Sequence, residues 1–295
     1  MNLGVMLPRD LPPEQVLPYA RRAEEAGFAE LWVVEDLGFR GGIAQAAAVL
    51  AATTSIHVGI GVLPVGARNV AFAAMECTSL AELFPGRVTI GVGHGMPDWM
   101  RSVGAWPASP LRALEDYVRT LRDHLRGEAG PAVVPDVLTG VRGPKSLKVS
   151  GAVADGTVLA EPVTPEYVRW ALDRIAAERP HRIVAYNACA VDEDENRALA
   201  TVRPALAWIG EPDWAPHLAP LPFAAEFAAL RARCASREEF TDRLPAGWVR
   251  QLSIVGTPGQ ARTRLDELAA AGVTTSVLIP AAADPLAALE GLAVR

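Results

Sequence analysis

The feature that most constrains this chain is a repeat of short apolar runs, each followed by a segment of helical periodicity. The runs occupy residues 2–7, 31–34, 56–62, 88–92, 136–140, 156–160, 183–189 and 275–279. Without polar alternation, they suit parallel strands buried on both faces. Strands alternating with helices imply right-handed βαβ units, and eight of them point to closure into a (β/α)8 TIM barrel. An open doubly wound sheet is the competing solution. Such a barrel needs about 250 residues, so the 295 residues are expected to form a single domain, 1–295.

Helix signals support the alternation. Gly27 suits the left-handed position that closes the first helix. Thr164 before Pro165, and Thr257 before Pro258, follow the N-cap and N1 grammar of helix starts. Pro18 within the first helical pattern predicts a later start or a kink. The periodicity breaks at residues 209–249, a proline- and aromatic-rich insertion before the last strand. It either roofs a pocket as a lid or packs as a helical excursion on the barrel wall.

Several function classes lose support. A net charge of −6 without a Lys/Arg block argues against nucleic acid. No apolar run approaches the ~20 residues of a membrane span. Cys77, Cys189 and Cys234 lack CxxC spacing, and no basic-then-apolar leader opens the chain, which together suggest a cytoplasmic protein. The histidines are widely spaced, so no metal is expected. Gly91-Val92-Gly93-His94-Gly95-Met96 misses the dinucleotide fingerprint because Met96 stands where its third glycine belongs.

In a barrel the site lies at the C-terminal ends of the strands. The residues there are Glu35 and Asp36, Gly61-Val62-Leu63-Pro64, Gly93-His94-Gly95, Arg142-Gly143-Pro144-Lys145-Ser146, and Ala160-Glu161. Gly143-Pro144-Lys145-Ser146 is the anion candidate, because a helix N-terminus presents free N–H groups beside a lysine. The alternative is an ordinary helix start with Lys145 solvated. Asp36 and His94 are the titratable candidates for proton transfer. Asp36 could instead cap the next helix, and His94 could serve only to pack or hydrogen-bond.

These segments, in this order, resemble a family. Glu25-Ala26-Gly27-Phe28 with Leu31-Trp32-Val33-Val34-Glu35-Asp36 resembles the opening of luciferase-like monooxygenases. Gly86-Arg87-Val88-Thr89-Ile90-Gly91-Val92-Gly93-His94-Gly95 is similar to their fourth strand. Arg142-Gly143-Pro144-Lys145 with Ala154-Asp155-Gly156 resembles the methylenetetrahydromethanopterin-reductase-like branch, and Gly256-Thr257-Pro258 with Ala271-Gly272-Val273 the common ending.

The resemblance implies coenzyme F420, or alternatively FMN, at the barrel mouth, with hydride transfer at its ring. It also implies a non-proline cis peptide near Gly61-Val62 and Leu63 behind that ring. The phosphate end would lie near Gly143 to Ser146 and Gly156, with His94, Gly95, Arg142, Ala160 and Glu161 around the cofactor. Two departures stand out: Leu37 follows Asp36 where many deazaflavin relatives carry His, and Met96 stands where one branch carries Glu.

The leading expectation is an F420-dependent oxidoreductase acting on a small apolar organic substrate. An FMN-dependent monooxygenase and a non-catalytic flavin-binding protein are the alternatives. A homodimer is also expected, since Gln45 is the only polar residue from Ile43 to Ala52 and most of that helix needs cover. Burial within one chain is the competing account.

Overall fold

The computed structural model describes residues 1–293. Among these, nine strands form one parallel sheet: β1 (Asn2–Met6), β2 (Glu30–Val33), β3 (His57–Pro64), β4 (Val88–Gly93), β5 (Asp136–Gly140), β6 (Gly156–Leu159), β7 (Arg182–Val191), β8 (Ile254–Gly256) and β9 (Thr275–Pro280). β1 to β6 pair in sequence, β6 pairs with β7, β7 with β9, and β9 with β1, closing an eight-stranded barrel. The barrel expectation holds, and the open sheet is ruled out. β8 lies outside the closure and pairs only with Cys189, Ala190 and Val191 of β7. It was not foreseen. Three residues carry no periodicity, and β8 exists because β7 runs past the barrel and offers a free edge.

Inside the barrel, Trp32, Leu138, Val158, Val184, Tyr186 and Val277 form the inner core. Trp32 meets Tyr186 edge-on at 5.9 Å between centroids, a favoured aromatic arrangement. Glycine makes room for them: a Cβ on Gly59 would lie 2.4 Å from Trp32 Cδ2, and one on Gly61 2.4 Å from the Tyr186 hydroxyl. Below this layer the buried Glu30 carboxylate accepts hydrogen bonds from Trp32 Nε1 (2.9 Å), Thr275 Oγ1 (2.9 Å) and Arg182 (3.2 Å). Arg182 also reaches Asp136 at 3.0 Å. These groups fill the N-terminal end of the barrel, so its opposite end is the one left for a ligand.

The outer core packs the barrel against helices α1 (Pro13–Glu25), α2 (Gly42–Ala52), α3 (Val70–Leu83), α5 (Pro110–Arg126), α6 (Pro144–Val153), α7 (Pro165–Ile175), α13 (Pro258–Ala271) and α14 (Pro285–Leu292). A short α4 (Pro97–Ser102) lies after β4. α1 begins at Pro13 and includes Pro18, so the later start does not occur. Gly27 has φ +84°, as its position requires. Thr164 accepts from Tyr167 N at 3.1 Å, and Thr257 with Gln260 forms a capping box.

Between β7 and β8 lie α8 (Glu195–Val202), which precedes the insertion, then α9 (Ala215–Leu218), α10 (Ala224–Ala232) and α11 (Arg237–Arg243) within residues 209–249, and α12 (Ala246–Leu252), which runs past its end. Most of the insertion's aromatic residues face one another. Phe223 stacks on Trp248 at 4.8 Å, and Phe227 meets Phe240 edge-on at 5.2 Å. With Ala188, Ala190 and Val255 they form a second core over the extension of β7 and over β8. The aromatic content therefore mainly builds the insertion. Its first part differs, because Asp213 and Trp214 reach Arg142, two residues past the end of β5.

Candidate active site

The mouth is built around β3. Its pairing with β4 shifts register between Ile60 and Leu63, and the Gly61–Val62 peptide is cis, as the resemblance implied. The Val62 side chain projects over three glycines. A Cβ on Gly140 would lie 2.6 Å from Val62 Cγ1, one on Gly93 2.8 Å from Cγ2, and one on Gly91 3.2 Å from Cγ1. Larger residues there would push the bulge out of place. Leu63 is buried and faces α2, where a Cβ on Gly42 would sit 3.2 Å from it.

After β2 the two acids divide their work. Glu35 takes a bidentate hydrogen bond from Arg68 (2.8 and 3.1 Å) and accepts from Gly42 N (2.7 Å) at the start of α2. Glu35, rather than Asp36, therefore satisfies that helix terminus, and the capping alternative for Asp36 falls. Asp36 pairs with Arg9 at 2.6 Å, and the Arg9 guanidinium lies 4.7 Å from the Phe39 ring centroid.

After β4, His94 is half-buried and its Nδ1 has no hydrogen-bond partner. Burial lowers its pKa, so the imidazole is neutral at neutral pH. Gly95 adopts φ +73°, and a Cβ there would meet Met100 at 2.9 Å. After β5, Arg142 donates to the Asp213 carbonyl (3.1 Å) and lies 5.1 Å from the Trp214 ring centroid. Gly143 is the N-cap of α6 and makes no side-chain capping bond. Ser146 Oγ donates to the Gly143 carbonyl at 2.9 Å, while Lys145 is exposed. That helix start retains backbone N–H groups for an anion.

Ala160 and Glu161 follow β6, and the Glu161–Pro162 peptide is cis. Burial raises the Glu161 carboxyl, opposed by the nearby Arg142 charge. Gly156 does not join this group. It begins β6 opposite Arg182, about 10 Å down the strand from the mouth at ~3.3 Å per residue. A Cβ there would lie 2.6 Å from the Arg182 carbonyl, so its glycine serves strand packing. The structure thus gathers Asp36, Gly61, Val62, His94, Gly95, Arg142, Gly143, Pro144, Lys145, Ser146, Ala160 and Glu161 at the C-terminal face; Leu63 belongs to the same bulge but turns outward.

Four residues at this end were not anticipated: Arg9, Tyr186, Asn187 and His217. Asn187 Oδ1 accepts from Val163 N (2.9 Å), leaving a buried Nδ2 without a partner, as is the Tyr186 hydroxyl. His217 of α9 is fully buried against Tyr167 at 4.4 Å between centroids, with Nδ1 facing the Pro162 carbonyl at 3.3 Å and Nε2 unpaired. A lone Asn inside the apolar run of β7 was the available signal. His217 sits in the aperiodic insertion and offered none.

Buried polar atoms normally find partners. His94 Nδ1 and the Tyr186 hydroxyl lack them, beside a glycine-cleared shelf with apolar Met6, Val34 and Ile279, which pack on the inner core, whereas Asn187 shares the outward face of β7 with Ala185 and Cys189. A flat ring with polar edges and an anionic tail fits that arrangement, with the tail at the start of α6.

Fold and site together define a parallel (β/α)8 barrel whose C-terminal mouth suits a flavin-like redox cofactor. The sequence model described as luciferase-like monooxygenase matches residues 1–275. The chain belongs to this family of luciferase-like F420- and flavin-dependent oxidoreductases. It is 27% identical to a 5,10-methylenetetrahydromethanopterin reductase of Methanolobus tindarius over 94% of this chain and 93% of that protein. A coenzyme F420 dependent tetrahydromethanopterin reductase from Methanopyrus kandleri superposes with a TM-score of 0.81 at 20% identity, covering 99% of this chain and 97% of the other. An F420-dependent secondary alcohol dehydrogenase in complex with an F420-acetone adduct superposes at 0.74 with 18% identity, covering 100% and 99%.

Proposed function

We propose that this protein is an F420-dependent oxidoreductase that passes hydride between the deazaflavin and a small apolar organic substrate. The observation that carries the proposal is the β3 bulge, with Val62 seated over Gly91, Gly93 and Gly140 beside unpaired His94 Nδ1. The F420-dependent relatives named above support the choice of cofactor. When bound, such a cofactor supplies the two-electron chemistry, and the protein supplies orientation and dryness.

Gly61 and Val62 hold the ring's position from one side, and Leu63 anchors their bulge against α2. Lys145 and the backbone N–H groups of Lys145 and Ser146 hold the phosphate end. His94, neutral and unpaired, offers a hydrogen bond at the ring or the substrate. Glu161, whose carboxyl pKa is raised by burial, is the carboxyl placed to exchange a proton with the substrate. Asp36 fixes Arg9, keeping a positive charge at the rim. Met6, Val34 and Ile279 exclude water beneath the reacting atoms. Single-turnover oxidation of reduced F420 by a panel of small ketones and imines tests this, with loss of the signal in Glu161→Gln as the expected counterpart.

The protein is also proposed to be a homodimer through α2 and α3. Phe72, Met75 and Leu83 of α3 are 64%, 58% and 71% exposed, and Ala44, Ala48 and Ala51 of α2 are exposed too. Their helical spacing makes apolar faces that a second copy would cover. Light scattering of the wild type against Phe72→Glu tests it: a dimer converted to a monomer is expected, and a monomeric wild type contradicts it.

A further inference from the structure

Away from the mouth, α5, the end of α6 and the segment before β7 border an open, concave cavity of about 350 Å³ lined by Arg119, Arg122, Arg126 and Arg179, with Asp123. It lies toward the opposite end of the barrel, where helices end and strands begin. On α5 the spacing 119, 122, 126 places three guanidinium groups along one face.

Their available countercharge is small. Asp155 Oδ1 accepts from both Arg122 (2.6 Å) and Arg126 (3.0 Å), while Oδ2 is taken by Val137 N (3.0 Å). Arg119 pairs with Glu115 one turn away, at 2.8 Å. Among the described residues Arg179 has no hydrogen bond or ion pair. Arg122 is only 8% exposed, and its Nε is buried without a partner. Arg122 also donates to the Val153 carbonyl at the end of α6. Capping that helix accounts for one arginine of the four.

We infer that this arginine cavity is a binding site for a compact phosphate dianion, either free or as a phosphate monoester. Guanidinium forks match phosphate oxygens in geometry as well as charge. A nucleic-acid backbone suits the place poorly, because the cavity is concave and the chain carries a net charge of −6. Burial lowers the Arg122 pKa, and neighbouring Arg126 and Arg179 add to the effect against the pull of Asp155. An anion in the cavity would relieve that repulsion. Asp123 at its edge opposes anions, so the site should prefer a ligand small enough to stay among the arginines.

Calorimetric titration at constant ionic strength tests the site, using inorganic phosphate and glycerol 3-phosphate on the full chain. The Lys145→Ala variant removes the anchor proposed at the mouth, so a site that persists in it is not the cofactor's. Saturable binding to wild type and to Lys145→Ala is expected, weakened at least about ten-fold in Arg126→Gln/Arg179→Gln. Arg179→Gln alone removes no ion pair found among the described residues, and it should weaken binding in the same direction with the melting temperature unchanged. Exclusive binding of inorganic phosphate assigns the free ion, and equal or tighter binding of glycerol 3-phosphate assigns the ester. Absence of saturable binding in Lys145→Ala, or equal binding to wild type and the double arginine variant, overturns the proposal.

Discussion

Val62 and Gly140 meet across the barrel mouth so closely that a Cβ on Gly140 would lie 2.6 Å from Val62 Cγ1. Gly140→Ala is therefore expected to destabilise the protein by about 1–3 kcal/mol, as overpacked sites do. Val62→Ala should absorb most of that cost. A double-mutant cycle by urea unfolding measures the coupling. Equal costs of Gly140→Ala with and without Val62 would show that the two side-chain positions do not compete.

Lys145 is exposed at the start of α6 and makes no ion pair among the described residues. If it holds the cofactor's phosphate end, Lys145→Ala should weaken cofactor binding by about 1–3 kcal/mol, as for loss of a charged hydrogen bond. Stability should be unaffected. Unchanged affinity in a fluorescence titration would leave Lys145 as a solvated helix-start residue.

His217 supplies a pH dependence. Burial, with the Arg142 charge behind it, pushes its pKa down to about 3, against about 6.5 in an unfolded chain. Between those values the unfolded state takes up a proton that the folded state refuses. Stability is therefore intact above about pH 6.5 and falls as the pH drops, by at most about 1.4 kcal/mol per pH unit from this group. His217→Phe keeps a ring against Tyr167 and should flatten the acid limb of stability against pH. An unchanged slope would mean that His217 titrates normally.

Trp214 is the insertion residue placed against Arg142. Trp214→Ala should raise KM for the organic substrate and leave cofactor affinity largely intact, since Trp214 belongs to the part of the insertion that reaches the mouth. Deleting residues 212–245 would be a poorer test, because it strips the core formed by Phe223, Phe227, Phe240 and Trp248. Unchanged KM and kcat in Trp214→Ala would confine the insertion to a structural role.

Much of the barrel was legible because burial on both strand faces leaves uninterrupted apolar runs, as at residues 88–92 and 183–189. The family resemblance located the cis bond at Gly61–Val62. β8 was hidden because its three residues depend on the edge offered by β7, a tertiary circumstance. Gly156 was misplaced because a glycine beside an anion motif looks like one that lets a ligand approach, whereas here it admits the Arg182 backbone. The aromatic insertion read partly as a roof, since composition does not reveal whether rings face a ligand or one another. Glu35 and Asp36 are adjacent in sequence, and only the positions of Arg68, Gly42 and Arg9 separate their roles.

We propose a deazaflavin at the barrel mouth. Titration of apo-protein with F420 and, separately, with FMN, followed by fluorescence, tests it most directly. Saturable F420 binding, tighter than that of FMN and weakened in both Lys145→Ala and Gly140→Ala, is the expected result. Absence of saturable F420 binding, or FMN binding more tightly, would contradict the account.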